Sequence, residues 1–433
     1  MASTQRVVWR TMAPDPLKTG GKVAPKIAPR AAALAIARLL RARGHVAYLA
    51  GGCVRDELLG IEPTDYDLAT DARPEQIQEV FPKARGVGEA FGVMLVRFQG
   101  RTVEVATFRC DGPYHDGRRP SEVRYATAEE DAQRRDFTIN GLFRDPESGQ
   151  VVDFVGGQRD LAARTLRAIG DPHARIREDR LRSLRAVRFA ARFALGVDAN
   201  TQAAIEATAA ELKGVSRERI GGELRRMLVH PTRLRALLLL EQWGLDASTL
   251  AEAHSVGELP RVAALPPQTS VATALAAWSL DRNARGTAAG VEHWFDALNL
   301  SSHERTDLVE VRRIVAVITD DWRGRSKAAR KRLAAAPCFA GALDVLAGSE
   351  TSLAQEVRTS VADLARDAGG LAPTPYVRGD DLLQLGFKPG PAFKQVLDGV
   401  YDLQLDGKVS DSAAALAAAR AMWVGLDGLG NSP

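Results

Sequence analysis

Two hydrophobic rhythms divide the chain. Across residues 30–165 short apolar runs alternate with turn-forming stretches, whereas from about residue 170 onward Ala, Leu, Arg and Glu recur at helical spacing with few β-branched runs. The Ala/Leu/Arg pattern from Ile27 to Arg43 predicts a helix ended by Gly44. His45–Ala50, Tyr66–Ala69, Val93–Phe98 and Val103–Phe108 read as strands, and Gln99-Gly100-Arg101-Thr102 between the last two predicts a hairpin. The expected fold is an α+β N-terminal head, a mixed sheet with helices, followed by an all-α remainder. Pro and Gly act there as punctuation, at His230-Pro231, Ala372-Pro373 and Gly390-Pro391. Residues 365–376 read as a linker. The expected organisation is a flexible segment at 1–28, a head at 29–168, and helical neck, body and tail at 169–245, 246–370 and 371–433.

Composition narrows the class without choosing a function. A chain of 433 residues exceeds one ordinary core, and 45% hydrophobic with 26% charged residues is globular. No apolar run reaches the roughly 18 residues of a membrane span, and no secretory signal pattern opens the chain, so a cytoplasmic, membrane-free protein is expected. Cys53, Cys110 and Cys338 have no metal-ligand spacing and are expected as small buried apolar groups. The net charge of +4 is unevenly spread. Residues 1–44 carry many Lys and Arg against the single acid Asp15, and Arg323, Arg325, Lys327, Arg330, Lys331 and Arg332 form a second concentration. Either run suits solvated surface or a phosphate backbone. Charge gives no indication of oligomeric state.

The sharpest chemistry lies between the predicted strands. Gly51-Gly52 precedes a short helical segment containing Arg55, and Asp65-Tyr66-Asp67-Leu68 follows. With Tyr66–Ala69 as a strand, Asp65 and Asp67 share one face and Leu68 turns away. Paired carboxylates repel unless a cation lies between them, and Mg²⁺ suits hard oxygens while leaving positions for phosphates. Gly51 and Gly52 let backbone N–H groups approach a triphosphate, which Arg55 can also pair with. Glu104 interrupts the apolar run Val103–Phe108, where a bare carboxylate is costly to bury, so a metal or Arg109 is expected to relieve it. Arg134-Arg135-Asp136-Phe137-Thr138-Ile139-Asn140 reads as a helix start offering guanidinium and amide groups to ribose and phosphate. In Glu178-Asp179-Arg180-Leu181-Arg182, continuing to Arg185 and Arg188, a helix makes Asp179 and Arg182 i,i+3 neighbours. Such a pair serves either as a base-reading acceptor and donor or as an exposed salt bridge. Arg188 cannot share a helix face with Asp179.

In this order the motifs resemble those of the class II CCA-adding enzymes and bacterial poly(A) polymerases, a branch of the polymerase-beta-like nucleotidyltransferases. The matching text is Gly51-Gly52-Cys53-Val54-Arg55-Asp56, Asp65-Tyr66-Asp67, Glu104 to Arg109, Arg134 to Asn140, and Glu178-Asp179 to Arg182. A weaker match covers Tyr376–Lys408. The resemblance implies that Asp65 and Asp67 hold metal ions with Glu104 assisting. It implies that Gly52 and Arg55 meet the triphosphate, and that Arg135 and Asp136, with Asn140 in the same motif, meet the sugar. Asp179 and Arg182 would select CTP and then ATP, with Arg185 and Arg188 nearby. The implied reaction is in-line attack of a tRNA 3′-hydroxyl on the nucleotide α-phosphate with release of pyrophosphate, the tail contributing to RNA binding.

Three activities compete within the family. Gly88-Glu89-Ala90-Phe91-Gly92 lacks the paired arginines usual in the polymerases, and the chain ends without a basic tail, which favours a tRNA enzyme. The loop Cys110–Tyr125, including Asp116-Gly117-Arg118-Arg119-Pro120, is full-length, so terminal A addition is expected; A-only relatives share the motifs. A non-catalytic RNA-binding relative would be expected to lose a carboxylate, and all three are present. His115-Asp116 stands without the further ligands that an HD phosphohydrolase site requires.

Overall fold

The computed structural model describes residues 27–87, 92–111, 123–286, 290–367 and 369–430. Residues 1–26, the Gly88–Phe91 stretch and the loop interior with His115-Asp116 lie outside the described residues. The backbone falls into two compact units. One comprises the described residues through Ala163 together with Arg167–Gly170, the other Arg164–Leu166 and Asp171 onward.

The first unit is built on strands β1 (Ala47–Ala50), β2 (Leu68–Thr70), β3 (Arg85–Gly86), β4 (Val93–Phe98), β5 (Arg101–Thr107), β8 (Leu142–Arg144) and β9 (Val151–Asp153). They form a mixed sheet in the order β3-β4-β5-β2-β1-β8-β9. Strands β2 and β5 run parallel, and the other neighbours are antiparallel. Strands β6 (Arg109–Asp111) and β7 (Val123–Tyr125) pair separately. The β4–β5 turn is shorter than expected. Gln99 (φ +43) and Gly100 (φ +77) alone make it, because two successive positive φ angles match the twist of the flanking strands; Arg101 and Thr102 belong to β5.

Helix α1 (Pro29–Arg41) starts on a proline whose missing N–H costs nothing in a first turn, and the chain leaves it at Gly44 (φ +88). Its Ala32, Ala33, Ile36, Ala37 and Leu40 share one face and are fully buried against Leu49, Leu68, Met94, Val96, Val103 and Val105. Each large side chain so buried contributes roughly 1.5–3 kcal/mol. Three further helices, α2 (Gly52–Leu58), α3 (Pro74–Val80) and α5 (Gly157–Ala162), flank the sheet, and α4 (Ala128–Gln133) lies between β7 and β8 in the chain. Ala132 of α4 joins a second buried cluster with Ala50, Ala69, Phe108 and Phe143. There the rings of Tyr48, Phe108 and Phe143 pack with centroids 5.9–6.3 Å apart.

The second unit is helical, with one departure from expectation. Strands β10 (Thr165–Leu166) and β11 (Gly196–Val197) form a two-residue parallel ladder. Around it stand α6 (Pro172–Glu178), α7 (Leu181–Arg192), α8 (Ala199–Ala207), α9 (Arg217–Leu228), α10 (Arg233–Gln242) and α11 (Leu245–Leu250). Further on, the helix Val271–Ala284 is buried on nearly every side, including Trp278, Asp281 and Arg282. A guanidinium at such a position needs partners. Arg282 has Glu241 and Asp246 on Nη1 (3.1 and 2.9 Å) and Glu252 on Nε. Trp278 and Trp294 donate indole N–H groups to Glu241 and Glu252. Gly379–Gln384, Pro391–Leu405 and Ser412–Gly430 close the chain around a small core of Leu382, Val396, Val400 and Ala415.

Much of the basic run at 323–332 is ion-paired, and Arg323 stays on the surface at 79% exposure. Arg323 pairs with Glu356, Lys327 and Lys331 with Asp367, and Arg332 with Asp402. The cysteines are free, but only Cys53 is buried; Cys110 and Cys338 are half-buried, because neither sits on a fully packed face. Among the described residues no helix is long and apolar enough to cross a membrane.

Candidate active site

The sheet places the acids by register. Pairing of β2 with β5 begins at Leu68↔Val105, so one step back sets Asp67 beside Glu104. Asp65 and Asp67 therefore precede β2 instead of lying within it, since the ladder to β5 starts only at Leu68. Asp67 is nevertheless tethered to the sheet, its carbonyl accepting from the Ala50 N–H at 3.0 Å. Leu68 points into the core as expected, at 1% exposure. Glu104 is not buried in its apolar run. Strand alternation sends Val103 and Val105 inward and leaves Glu104 on the exposed face, where no burial cost arises.

Asp65 and Asp67 are both solvent-accessible. The protein packed around the Asp67 carboxyl, reinforced by the negative charges of Glu104 and Asp65, pushes its pKa up to about 6; Arg135 pulls the other way. The cluster thus carries more negative charge than its own cation neutralises. That is the donor chemistry a divalent ion fits. Among the described residues no group of three or more His, Cys, Asp or Glu is gathered as a complete cage. Asp65 and Asp67 are the two carboxylates that could hold such an ion, the rest of its shell falling to other oxygens.

Around the acids lies a hydrogen-bonded lattice. The stretch Arg134–Asn140 does not open a helix: α4 ends at Gln133, and only Thr138–Asn140 makes a single 3₁₀ turn. The reason is local, because Phe137 bridges to Ala168 in extended geometry instead of continuing the coil. Arg135 donates Nη2 to Asp131 (2.9 Å) and Nη1 to the Asn140 carbonyl (3.1 Å), and its guanidinium lies 4.9 Å from the Phe143 ring centroid. Asp131 also takes both Nε and Nη2 of Arg134. Burial favours the protonated Asp131 carboxyl, but the charges of Arg135 and Arg134 outweigh it and hold its pKa below the usual range. Asn140 donates Nδ2 to Asp136 at 3.0 Å and receives Nη1 of Arg55. Arg55 is 6% exposed and donates both Nε and Nη2 to one oxygen, Oδ1, of Asp56, so it is built into the lattice.

Gly51 caps α2 at φ +69, and a Cβ there would stand 2.8 Å from Nη1 of Arg135. Its neighbour Gly52, singled out in the sequence, would meet only Arg55 at 3.5 Å. Glycine is needed at the first position of the pair chiefly because φ +69 with ψ −119 strains any side chain, and a Cβ there would also press on the Arg135 guanidinium.

The second unit carries the remaining candidates. Asp179 is not helical. It is extended (φ −145°, ψ 100°) between α6 and α7, and its carboxylate accepts the Leu181 N–H. Asp179 and Arg182 also hold other partners: Arg219 donates to Asp179 at 2.7 Å, while Arg182 donates to Glu178 at 2.6 Å and to the Arg175 carbonyl. Arg185 and Arg188 of α7 both stack near the Phe189 ring, at 5.3 and 4.3 Å. Arg188 donates Nε to Glu223, which is 2% exposed. The sequence motifs do not include Asp131, Arg219 or Glu223, and they include Glu178 without a role. Asp131 and Glu178 stand three or four residues before arginines they bind, a readable helical signal; Arg219 and Glu223 come from α9 and leave none.

Known proteins share this plan. Residues 47–167 match the poly(A) polymerase head domain, and residues 195–253 match a probable RNA and SrmB-binding site of polymerase A. The fold and this head define a nucleotidyltransferase. A CCA-adding enzyme of Latilactobacillus sakei is 34% identical over 297 residues, covering 67% of this chain and 75% of that protein. One from Geobacillus thermodenitrificans is 43% identical over 215 residues, 49% of this chain and 53% of that protein. The chain thus spans about half the length of the curated Geobacillus relatives it matches. The Bacillus stearothermophilus CCA-adding enzyme solved in complex with CTP superposes with a TM-score of 0.73 at 27% identity, covering 91% of this chain and 98% of that one. The chain belongs to the family of class II CCA-adding enzymes and poly(A) polymerases.

Proposed function

We propose that the protein is a tRNA 3′-terminal nucleotidyltransferase that adds CCA from CTP and ATP with Mg²⁺ and releases pyrophosphate. The observation that carries this reading is the excess negative charge where Asp67 meets Glu104 and Asp65, in a chain of the CCA-adding family. Asp65 and Asp67 would hold the ion, and Glu104 would add its charge beside them. When bound, Mg²⁺ acidifies the attacking hydroxyl and stabilises the charge of the displaced pyrophosphate. The chain's own residues do the positioning. Gly51 and Gly52 open backbone space at the α2 start for the triphosphate. Asp131 and the Phe143 face fix the Arg135 guanidinium for the sugar. Arg55, Asp136 and Asn140 act through one another, as a buried brace for that arrangement.

Base choice is assigned to Asp179 and Arg182, with Arg185 and Arg188 beside them. Cytosine and adenine both present an amino donor next to a ring-nitrogen acceptor, whereas guanine and uracil present a carbonyl next to a ring N–H. A carboxylate acceptor and a guanidinium donor complement the first pair only. Glu178 and Arg219 would hold the two groups apart and aimed. Arg182→Ala is expected to erode the preference for CTP and ATP over UTP and GTP by about 1–3 kcal/mol, about fivefold to 160-fold in relative kcat/KM. Equal losses with all four nucleotides would refute the assignment. The neck, body and tail organisation at 169–245, 246–370 and 371–433 is proposed with it, as the scaffold that receives tRNA.

The deciding assay incubates the purified protein with tRNA lacking its CCA end, labelled CTP and ATP. Extension by three nucleotides is expected. Long A tails on arbitrary RNA would reassign it as a poly(A) polymerase, and one added A with CTP ignored as an A-adding enzyme. RNA binding without incorporation would leave only a non-catalytic relative.

A further inference from the structure

We infer that a pocket between α7, α9 and α10 is a seat for one backbone phosphate of the RNA substrate, adjoining the proposed base-reading residues at Arg188. The pocket has a volume of about 200 Å³ and is lined by Arg188, Arg192, Arg226, Met227, His230 and Thr232, among others. That volume admits a phosphate group with a few waters and is too small for a nucleotide.

Its charge is one-sided. Three guanidinium groups, of Arg188, Arg192 and Arg226, line the pocket with no carboxylate among the described lining residues, and Arg188 and Arg226 share Glu223 at 2.6 Å each. Arg192 is exposed and makes no ion pair among the described residues; it lies over the Phe193 ring at 5.2 Å. Arg233, beneath the site at 3% exposure, is held by the carbonyls of Leu228, Pro266 and Pro267, so no carboxylate among the described residues offsets its charge. The field registers on His230, whose pKa is lowered by burial and then by Arg192 and Arg233.

The polar geometry suits an anion as well. Nδ1 of His230 meets both the Thr232 hydroxyl, at 2.8 Å, and the Thr232 N–H, at 3.2 Å, which fixes the ring beside the pocket and leaves Nε2 for a ligand. Arg226 is anchored by Glu223 while 64% of its side chain stays exposed, so it can turn its remaining N–H groups to a ligand. Met227 and Val229 supply an apolar wall. Monoanionic oxygens met by guanidinium forks and one imidazole form a phosphodiester seat.

The inference deepens the RNA-binding reading and rests on it, locating one contact within the matched stretch 195–253 and its α7 neighbour. The test uses the full chain with Arg192→Ala, Arg226→Ala, the double variant and Arg192→Lys. Neither residue belongs to the metal or base-reading groups, and both are exposed, so folding is checked by an unchanged Tm. Affinity for tRNA lacking CCA is measured across a salt series, alongside CTP affinity. The double variant is expected to bind tRNA about tenfold more weakly, to flatten the slope of log K against log salt by about 0.7–0.9, the share of one phosphate, and to bind CTP as before. Arg192→Lys should restore part of the affinity. An unchanged tRNA affinity and slope overturns the inference. So does a parallel loss of CTP binding, which would make the pocket part of the nucleotide site. Binding is read without turnover, so a wild type that binds tRNA but never extends it would refute the proposed reaction and leave this seat standing.

Discussion

Asp67→Asn is expected to abolish nucleotide incorporation, on the order of a thousandfold or more, while tRNA affinity stays within a few-fold of wild type. The size follows from losing one of the two carboxylates proposed to hold the ion, in a reaction class where a metal contributes several kcal/mol. The same variant is expected to raise Tm above pH 6 in metal-free buffer, which distinguishes a functional loss from misfolding. The Asp67 carboxyl ionises at about 6 in the fold against 3.8 for an unperturbed aspartate. The folded state therefore keeps a proton that the unfolded chain releases, and wild-type stability falls as pH rises through that window. Asparagine removes the repulsion with Glu104 and Asp65, so its advantage should be present above pH 6 and vanish below about pH 4. Added Mg²⁺ should stabilise wild type and not the variant. Incorporation within a few-fold of wild type would end the metal assignment, and a Tm lowered at pH 8 would end the account of its charge.

Arg282→Met should be the most destabilising single change outside the site. The side chain is fully buried, and Glu241 and Asp246 are fully buried with it. Burial alone would depress the Arg282 pKa; Glu252 and Asp246 more than compensate and raise it. Methionine fills most of the volume but leaves Glu241, Asp246 and Glu252 without their shared cation. Arg285 still reaches Glu241, so that acid keeps one cation. Breaking a buried ion pair from one side costs about 3–5 kcal/mol. A drop of that order in urea unfolding is expected. A loss under about 1 kcal/mol would show that the acids are not held by Arg282.

These two residues differ in how much of their role the chain displays. Asp65 and Asp67 stand two apart, and it is the glycine pair and Arg55 upstream, more than that common spacing, that mark them as paired acids. Arg282 lies in an alanine-rich helical stretch with no special spacing, and its partners are 30 to 41 residues away. The α+β head, the helical remainder, α1 and the hairpin strands follow from periodicity, because burial on one face leaves a repeat of two or about 3.6 in the residues themselves. Where the reading failed, the error was conformational. Asp179 and the Arg134–Asn140 stretch have helix-compatible composition, yet a bridge to Ala168 and ties to Arg219 hold them extended or in a single 3₁₀ turn.

By itself the amino-acid order determined which residue types stand close along the chain: the carboxylate pair, the glycines, and the arginines after Asp131 and Glu178. Only the tertiary structure decided that Glu104 stands in register with Asp67, that a side chain at Gly51 would press on Arg135, that Arg55 is built into the lattice, and that Glu223 gathers two arginines. The physical reason is distance. Local geometry is encoded in neighbours a few residues apart, whereas charge compensation and close approach depend on groups brought together by burying apolar surface, which leaves no periodic mark on the polar residues it unites.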